Sequence, residues 1–263
     1  MNKSMHCAVE KFVNAKENGL CLIDMPTGTG KTYLTCKILG GFIRGEILQD
    51  VKTIIYLTPQ KKNIDDIFND LRKDFSENLP FFDANVLRIY ANYESVLEKF
   101  LDLHSQMPYA IQNRQSCKDL KKQIEFYKGL EKQNIPKEIL EGTLSEIRKN
   151  YEVAFRRDLS EELSKIAKTV RDKKRKLNSK DYSWVKELYP ACLTEDRKVL
   201  FMTVDKFYSG NDPIISKSYR FISNSKIKKA LIFIDEFDAT KDVLLNQEIQ
   251  RCTDYKMDLK AVE

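Results

Sequence analysis

The stretch Gly19 to Phe42 reads GLCLIDMPTGTGKTYLTCKILGGF and decides how the rest of the chain is read. Leu20 to Asp24 is a short apolar run, which predicts a buried parallel strand. From Leu34 the apolar residues recur at Leu34, Ile38, Leu39 and Phe42, a helical spacing, with Gly40 and Gly41 near the helix end. Between strand and helix lie Met25, Pro26, Thr27, Gly28, Thr29, Gly30, Lys31 and Thr32. A loop of this kind turns successive backbone N–H groups toward a polyphosphate, and glycine permits the close approach because it has no side chain. The helix behind it contributes free N-terminal amides and the positive end of its dipole. In that arrangement Lys31 reaches the β- and γ-phosphates of a nucleotide and the Thr32 hydroxyl ligates Mg²⁺. A chance Gly-Lys-Thr in an ordinary turn would not need strand, loop and helix in this order.

The second half of such a site is Ala230 to Ala239, ALIFIDEFDA. Its apolar residues predict a buried strand, and two adjacent carboxylates stand at the carboxyl end, where ligands bind in open α/β sheets. Asp235 is suited to holding Mg²⁺ through its water shell, and Glu236 to orienting and deprotonating an attacking water.

Pro-Thr-Gly-Thr-Gly-Lys-Thr resembles the Walker A motif of superfamily 2 helicases and translocases, with Met25 where the general pattern has its first glycine. Asp235-Glu236-Phe237-Asp238 is similar to the DExD form of their motif II. The resemblance implies an α/β fold, a P-loop RecA-like parallel sheet with helices on both faces, and ATP with Mg²⁺ as cofactors. It implies DNA or RNA as partner and no membrane. It also implies strand-contact roles for Gln60, Lys61 and Lys62 after the strand Thr53 to Pro59, and for Thr203 after Val199 to Val204. These families carry an adenine-reading glutamine upstream of Walker A; the corresponding position falls near Met5, and no glutamine stands there. Motif III and a second RecA-like domain with arginine fingers are not seen in the sequence. The resemblance thus reads as an amino-terminal piece of a longer motor, completed by that domain or by a partner protein.

With 263 residues, 42% of them hydrophobic, the chain can bury a sizeable core. It has no run of 18 apolar residues and no signal-peptide pattern, so the expected location is cytoplasmic. Six cysteines, at positions 7, 21, 36, 117, 192 and 252, have no metal-site spacing and read as free thiols. His6 and His104 stand alone.

Lys3 to Ala15 has amphipathic helical spacing, and Lys61 to Phe75 places Ile64, Ile67, Phe68 and Leu71 on one face. Asn85 to Ala91 predicts a third strand. From Asn92 to Lys198 strand signals nearly vanish, and 23 basic against 18 acidic residues carry five of the chain's net charge of +6. Apolar residues from Leu120 to Leu130 and from Leu140 to Val170 predict a helical hairpin, broken at Pro136, whose second run reads as one long amphipathic helix or as two helices broken near Asp158 to Ser160. The expected organisation is a RecA-like domain in two parts, 1–92 and 199–263, around a helical insertion at 93–198. Lys173, Lys174, Arg175 and Lys176 cluster at the end of that insertion, the footprint expected of phosphate-backbone binding or of a solvated helix end. A second class of function stays open: a nucleotide-dependent interaction module, effector or scaffold, docking proteins through the insertion.

Overall fold

Thr53–Thr58 (β1) is a run of β-branched, aromatic and aliphatic residues, and all six are buried. Successive side chains of a strand point to opposite faces, so a strand buried along its whole length has both faces covered. Val86–Arg88 (β2) and Val199–Thr203 (β3) follow, and every residue of β3 is buried too. Ala230–Ile234 (β4) completes a parallel sheet ordered β2-β3-β1-β4. Ile54 faces Val199 on one side and Leu231 on the other, which fixes the register. The computed structural model describes residues 2–15, 19–23, 28–133, 135–224, 230–236, 240, 241, 243 and 245.

Two compact units emerge: Met1–Ile89 with Glu195–Gly210 and Arg220–Glu263, and Tyr90–Thr194 with Asn211–Tyr219. The first holds the sheet and the helices Asn2–Asn14 (α1), Lys31–Arg44 (α2), Lys61–Lys73 (α3) and Leu79–Asn85 (α4). Helix α3 lays Ile64, Ile67, Phe68 and Leu71 inward. Phe68 meets Phe201 of β3 edge-on at 5.9 Å, and Tyr56 of β1 lies 5.4 Å from the same ring. Fully burying one such side chain stabilises by roughly 1.5–3 kcal/mol, so this aromatic seam is a main attachment of α3 to the sheet. The first unit is thus an α/β, P-loop RecA-like arrangement, a parallel four-stranded sheet flanked by helices.

The second unit is built of Asn92–Leu103 (α5), Tyr109–Gln112 (α6), Gln115–Glu131 (α7), Lys137–Glu146 (α8), Glu152–Ile166 (α9), Val170–Leu177 (α10) and Trp184–Leu188 (α11). Phe100, Phe155, Trp184 and Tyr189 fill its core. A π-helical turn at Ile147–Tyr151 joins α8 to α9. The chain re-enters the first unit at Glu195, where Val204–Tyr208 (α12) follows β3.

Two sequence expectations are corrected and one open alternative is decided. Residues 19–23 form no strand; Leu20 is 67% and Leu22 69% exposed. A strand exists only where a neighbour supplies its hydrogen-bond ladder, and no described residue pairs with 20–23. Asp24 lies outside the described residues. Second, β4 is only half-buried along its length, because its edge away from β1 has no partner among the described residues. Of the two readings of the run from Leu140, the structure has the unbroken one, with no break near Asp158 to Ser160. Helix α9 runs through, held by Arg114 Nη1 donating to the Asp158 carbonyl at 3.2 Å and Ser116 Oγ donating to its carboxylate at 2.5 Å. The chain turns extended only at Ala167.

Candidate nucleotide site

Two glycines shape the loop before α2. Gly28 has φ 79° and Gly30 φ 80°, left-handed values that a side chain disfavours. Gly30 is the residue from which α2 starts, and its carbonyl accepts from Leu34 N–H at 2.9 Å. A Cβ at Gly28 would meet nothing within 4 Å, so the backbone there borders open space, as a cradle for a ligand requires. Lys31 and Thr32, the first two residues of α2, are exposed, whereas Leu34, Ile38, Leu39 and Phe42 hold the helix to the core. Met25, Pro26 and Thr27 lie outside the described residues; Thr29 is half-buried.

At the far end of the chain, the ladder continues one residue past β4: Asp235 N–H donates to the Leu57 carbonyl at 2.9 Å. That bond leaves Asp235 and Glu236 just beyond the carboxyl edge of the sheet. Both oxygens of the Asp235 carboxylate are held. Oδ2 accepts from the Tyr56 hydroxyl at 2.6 Å, and Oδ1 accepts from the Glu236 N–H at 3.0 Å. Thr240, fully buried, donates its hydroxyl to the Asp235 carbonyl at 3.0 Å. Glu236 has φ 51°, a left-handed conformation that is rare for a residue with a side chain. Burial, reinforced by the hydrogen bond to Asp235, pushes the Tyr56 phenol well above its usual pKa, so it stays a donor at any physiological pH.

Lys31, Thr35, Tyr56, Asp235 and Glu236 line one cavity of about 850 Å³, whose apolar walls come from Met5, Val9, Phe12 and residues 20–23 on one side and β4 on the other. A cation at a helix start and two carboxylates at a strand end thus face one space. Mg²⁺ in nucleotide sites takes one or two carboxylates and fills its remaining positions with phosphates and water, and the oriented Asp235 fits that donor set. Among the described residues there is no cluster of three or more His, Cys, Asp or Glu that could form a closed metal cage. The Cys36 thiol nearby is buried and pushed up to about 11, which makes it a packing group.

The residues with strand-contact expectations are scattered in character. Gln60 precedes α3, and Lys61 and Lys62 open it; all three are exposed at the carboxyl end of β1. Thr203 is 8% exposed and its hydroxyl accepts from Lys206 N–H at 3.2 Å, capping α12. On α10, Lys173 donates to Ser164 Oγ at 2.8 Å, Lys176 lies 5.1 Å above the Tyr182 ring, and Arg175 stands 3.8 Å from Asp172. Much of this cluster is therefore engaged within its own unit. A separate cavity of about 680 Å³ in the helical unit has Arg157, Lys165, Lys168 and Lys217 on its walls, and Lys173, Lys174, Arg175 and Lys176 are not among its lining residues. Tyr56 is the site residue that sequence reading passed over; its one signal is an aromatic hydroxyl in the otherwise aliphatic run TIIYLT.

No helix among the described residues is long and apolar enough to cross a membrane. No curated protein matches the chain. Residues 1–209, which include the glycine loop and Lys31 and end before Asp235, match the model of a family described as an AAA domain. That match spans well over half of the sequence, and the chain accordingly belongs to this AAA-domain family, a P-loop domain of helicase-like type.

Proposed function

We propose that the chain is the ATP-binding and ATP-hydrolysing motor domain of a helicase or nucleic-acid translocase of the superfamily 2 kind. The observation that carries this reading is the single cavity onto which Lys31 and the pair Asp235 and Glu236 open. The loop Gly28 to Gly30 and the start of α2 present backbone amides to the polyphosphate, and Lys31 adds the cation for its β- and γ-oxygens. Thr32 and Asp235 hold Mg²⁺. When bound, that ion supplies charge neutralisation on the transferring phosphoryl group. Glu236 takes the proton of the attacking water. DNA or RNA binds across the carboxyl edge of the sheet at Gln60, Lys61 and Lys62.

Among the described residues lining the cavity, Lys31 is the only cation. Charge developing on the phosphoryl group calls for an arginine as well, commonly worth on the order of 10³-fold or more in rate. In this reading the arginine comes from a second RecA-like domain or a partner protein, and residues 1–263 alone turn over slowly. Calorimetry with Mg-ATP tests the assignment. Lys31→Ala is expected to weaken binding by about tenfold to 100-fold, since a charge-assisted hydrogen bond contributes about 1.5–3 kcal/mol and this residue makes at least one. Glu236→Gln is expected to keep binding and lose hydrolysis. Undiminished affinity in Lys31→Ala would reject the reading.

A further inference from the structure

We propose that Tyr56 is a positioning residue for the metal-binding carboxylate: its hydroxyl, 2.6 Å from Asp235 Oδ2, sets the orientation in which Asp235 receives Mg²⁺. This deepens the reading above and rests on it. The geometry is dictated by rigid parts. Tyr56 belongs to a strand buried from end to end, its ring is held 5.4 Å from Phe201, and Phe201 is in turn held by Phe68. On the partner strand, Tyr56 lies opposite Phe233 and Leu57 opposite Ile234, and the Asp235 N–H bond to Leu57 carries that register to the carboxylate itself. Two ladder neighbours thus bring phenol and carboxylate together with no loop between them.

A buried phenol always seeks an acceptor, so this contact could also serve Tyr56 alone. The rest of the arrangement argues that it serves Asp235. With the Glu236 N–H on Oδ1 and the Tyr56 hydroxyl on Oδ2, both carboxylate oxygens are anchored from protein donors, and each keeps a lone pair for the cavity that Lys31 shares. Donors that orient a ligating group in this manner govern metal affinity, and losing one typically costs 10–100-fold.

Nucleotide binding measured by calorimetry as a function of free Mg²⁺, with EDTA as the metal-free reference, tests this. Tyr56→Phe is expected to raise the Mg²⁺ concentration at half-saturation by about tenfold or more and to leave the affinity for ATP in EDTA unchanged. In a protein carrying 3-fluorotyrosine at position 56, the ¹⁹F resonance is expected to move when Mg²⁺ is added to the ATP-loaded protein and to stay still in the Asp235→Asn background. This second measurement works even if Tyr56→Phe does not fold. An unshifted Mg²⁺ midpoint in Tyr56→Phe, alongside a shifted one in Asp235→Asn, would assign Tyr56 to packing and overturn the inference, as would a silent fluorine signal. If Asp235→Asn leaves the midpoint unchanged too, the metal assignment itself falls.

Discussion

Glu236 occupies a conformation that costs an L-residue about 1–2 kcal/mol relative to the right-handed region, and it does so next to the carboxylate that the site needs most. Glycine would remove that cost and the carboxylate together. Glu236→Gly is therefore expected to melt at or slightly above the wild-type temperature, by up to about 1 kcal/mol once the extra freedom of unfolded glycine is counted, while hydrolysis disappears. Glu236→Gln should lose hydrolysis without that gain, and a thermal melt of the two variants side by side separates strain from chemistry. A Glu236→Gly protein that melts well below wild type would mean that the side chain itself stabilises the turn. Gly28, Gly30 and Lys31 could be picked out in the sequence because their chemistry is local: a left-handed loop and a cation one residue later are written in consecutive letters. Tyr56 could not, because its role comes from a neighbour that sits far along the chain and reaches it only through strand pairing.

Elements were legible where one face alone decides them. The stripe Ile64, Ile67, Phe68 and Leu71 predicts α3, and the β-rich run from Thr53 predicts β1; the structure has both. Leu20 to Ile23 is as apolar as β1 and forms no strand, since hydrophobicity proposes a strand and only a partner's backbone makes one. Asp158 looks like a breaker next to Ser160, yet Arg114, the N-cap of α7, and Ser116 within α7 use its carbonyl and carboxylate and keep α9 intact. Helix α10 shows the same lesson for charge. Thr169 caps it, accepting from Asp172 N–H at 3.1 Å, and Lys173 and Lys176 turn back to Ser164 and Tyr182. Arg175 stays outward, with 75% of its side chain exposed. Arg175→Ala is accordingly expected to lower the log–log salt slope of nucleic-acid binding by about one unit, while Lys173→Ala and Lys176→Ala lower stability by about 1 kcal/mol or less and leave the slope alone. Equal slopes in all three variants would place the nucleic acid elsewhere.

For the whole molecule, composition located the strands but not their order. Strand β3 enters the sheet between β2 and β1 after the long helical excursion, and β4 then joins the far side of β1. Periodicity describes one strand at a time and carries no record of its neighbour. Among the described residues the order leaves β4 bonded on one side only, and this has a readable signature in time. Amides alternate in direction along a strand, and Asp235 N–H points toward β1, so the N–H groups of Phe233 and Leu231 do as well. Those of Ile232 and Ile234 point the other way, toward the edge that has no strand partner among the described residues. In deuterated buffer, Leu231 and Phe233 are expected to exchange only as the sheet opens, whereas Ile232 and Ile234 exchange at the pace of an unprotected chain. Uniform protection along the strand would show that its free edge is covered in solution. One strand of five residues would thus keep two clocks, a slow one set by the cohesion of the sheet and a fast one set by the solvent at its border.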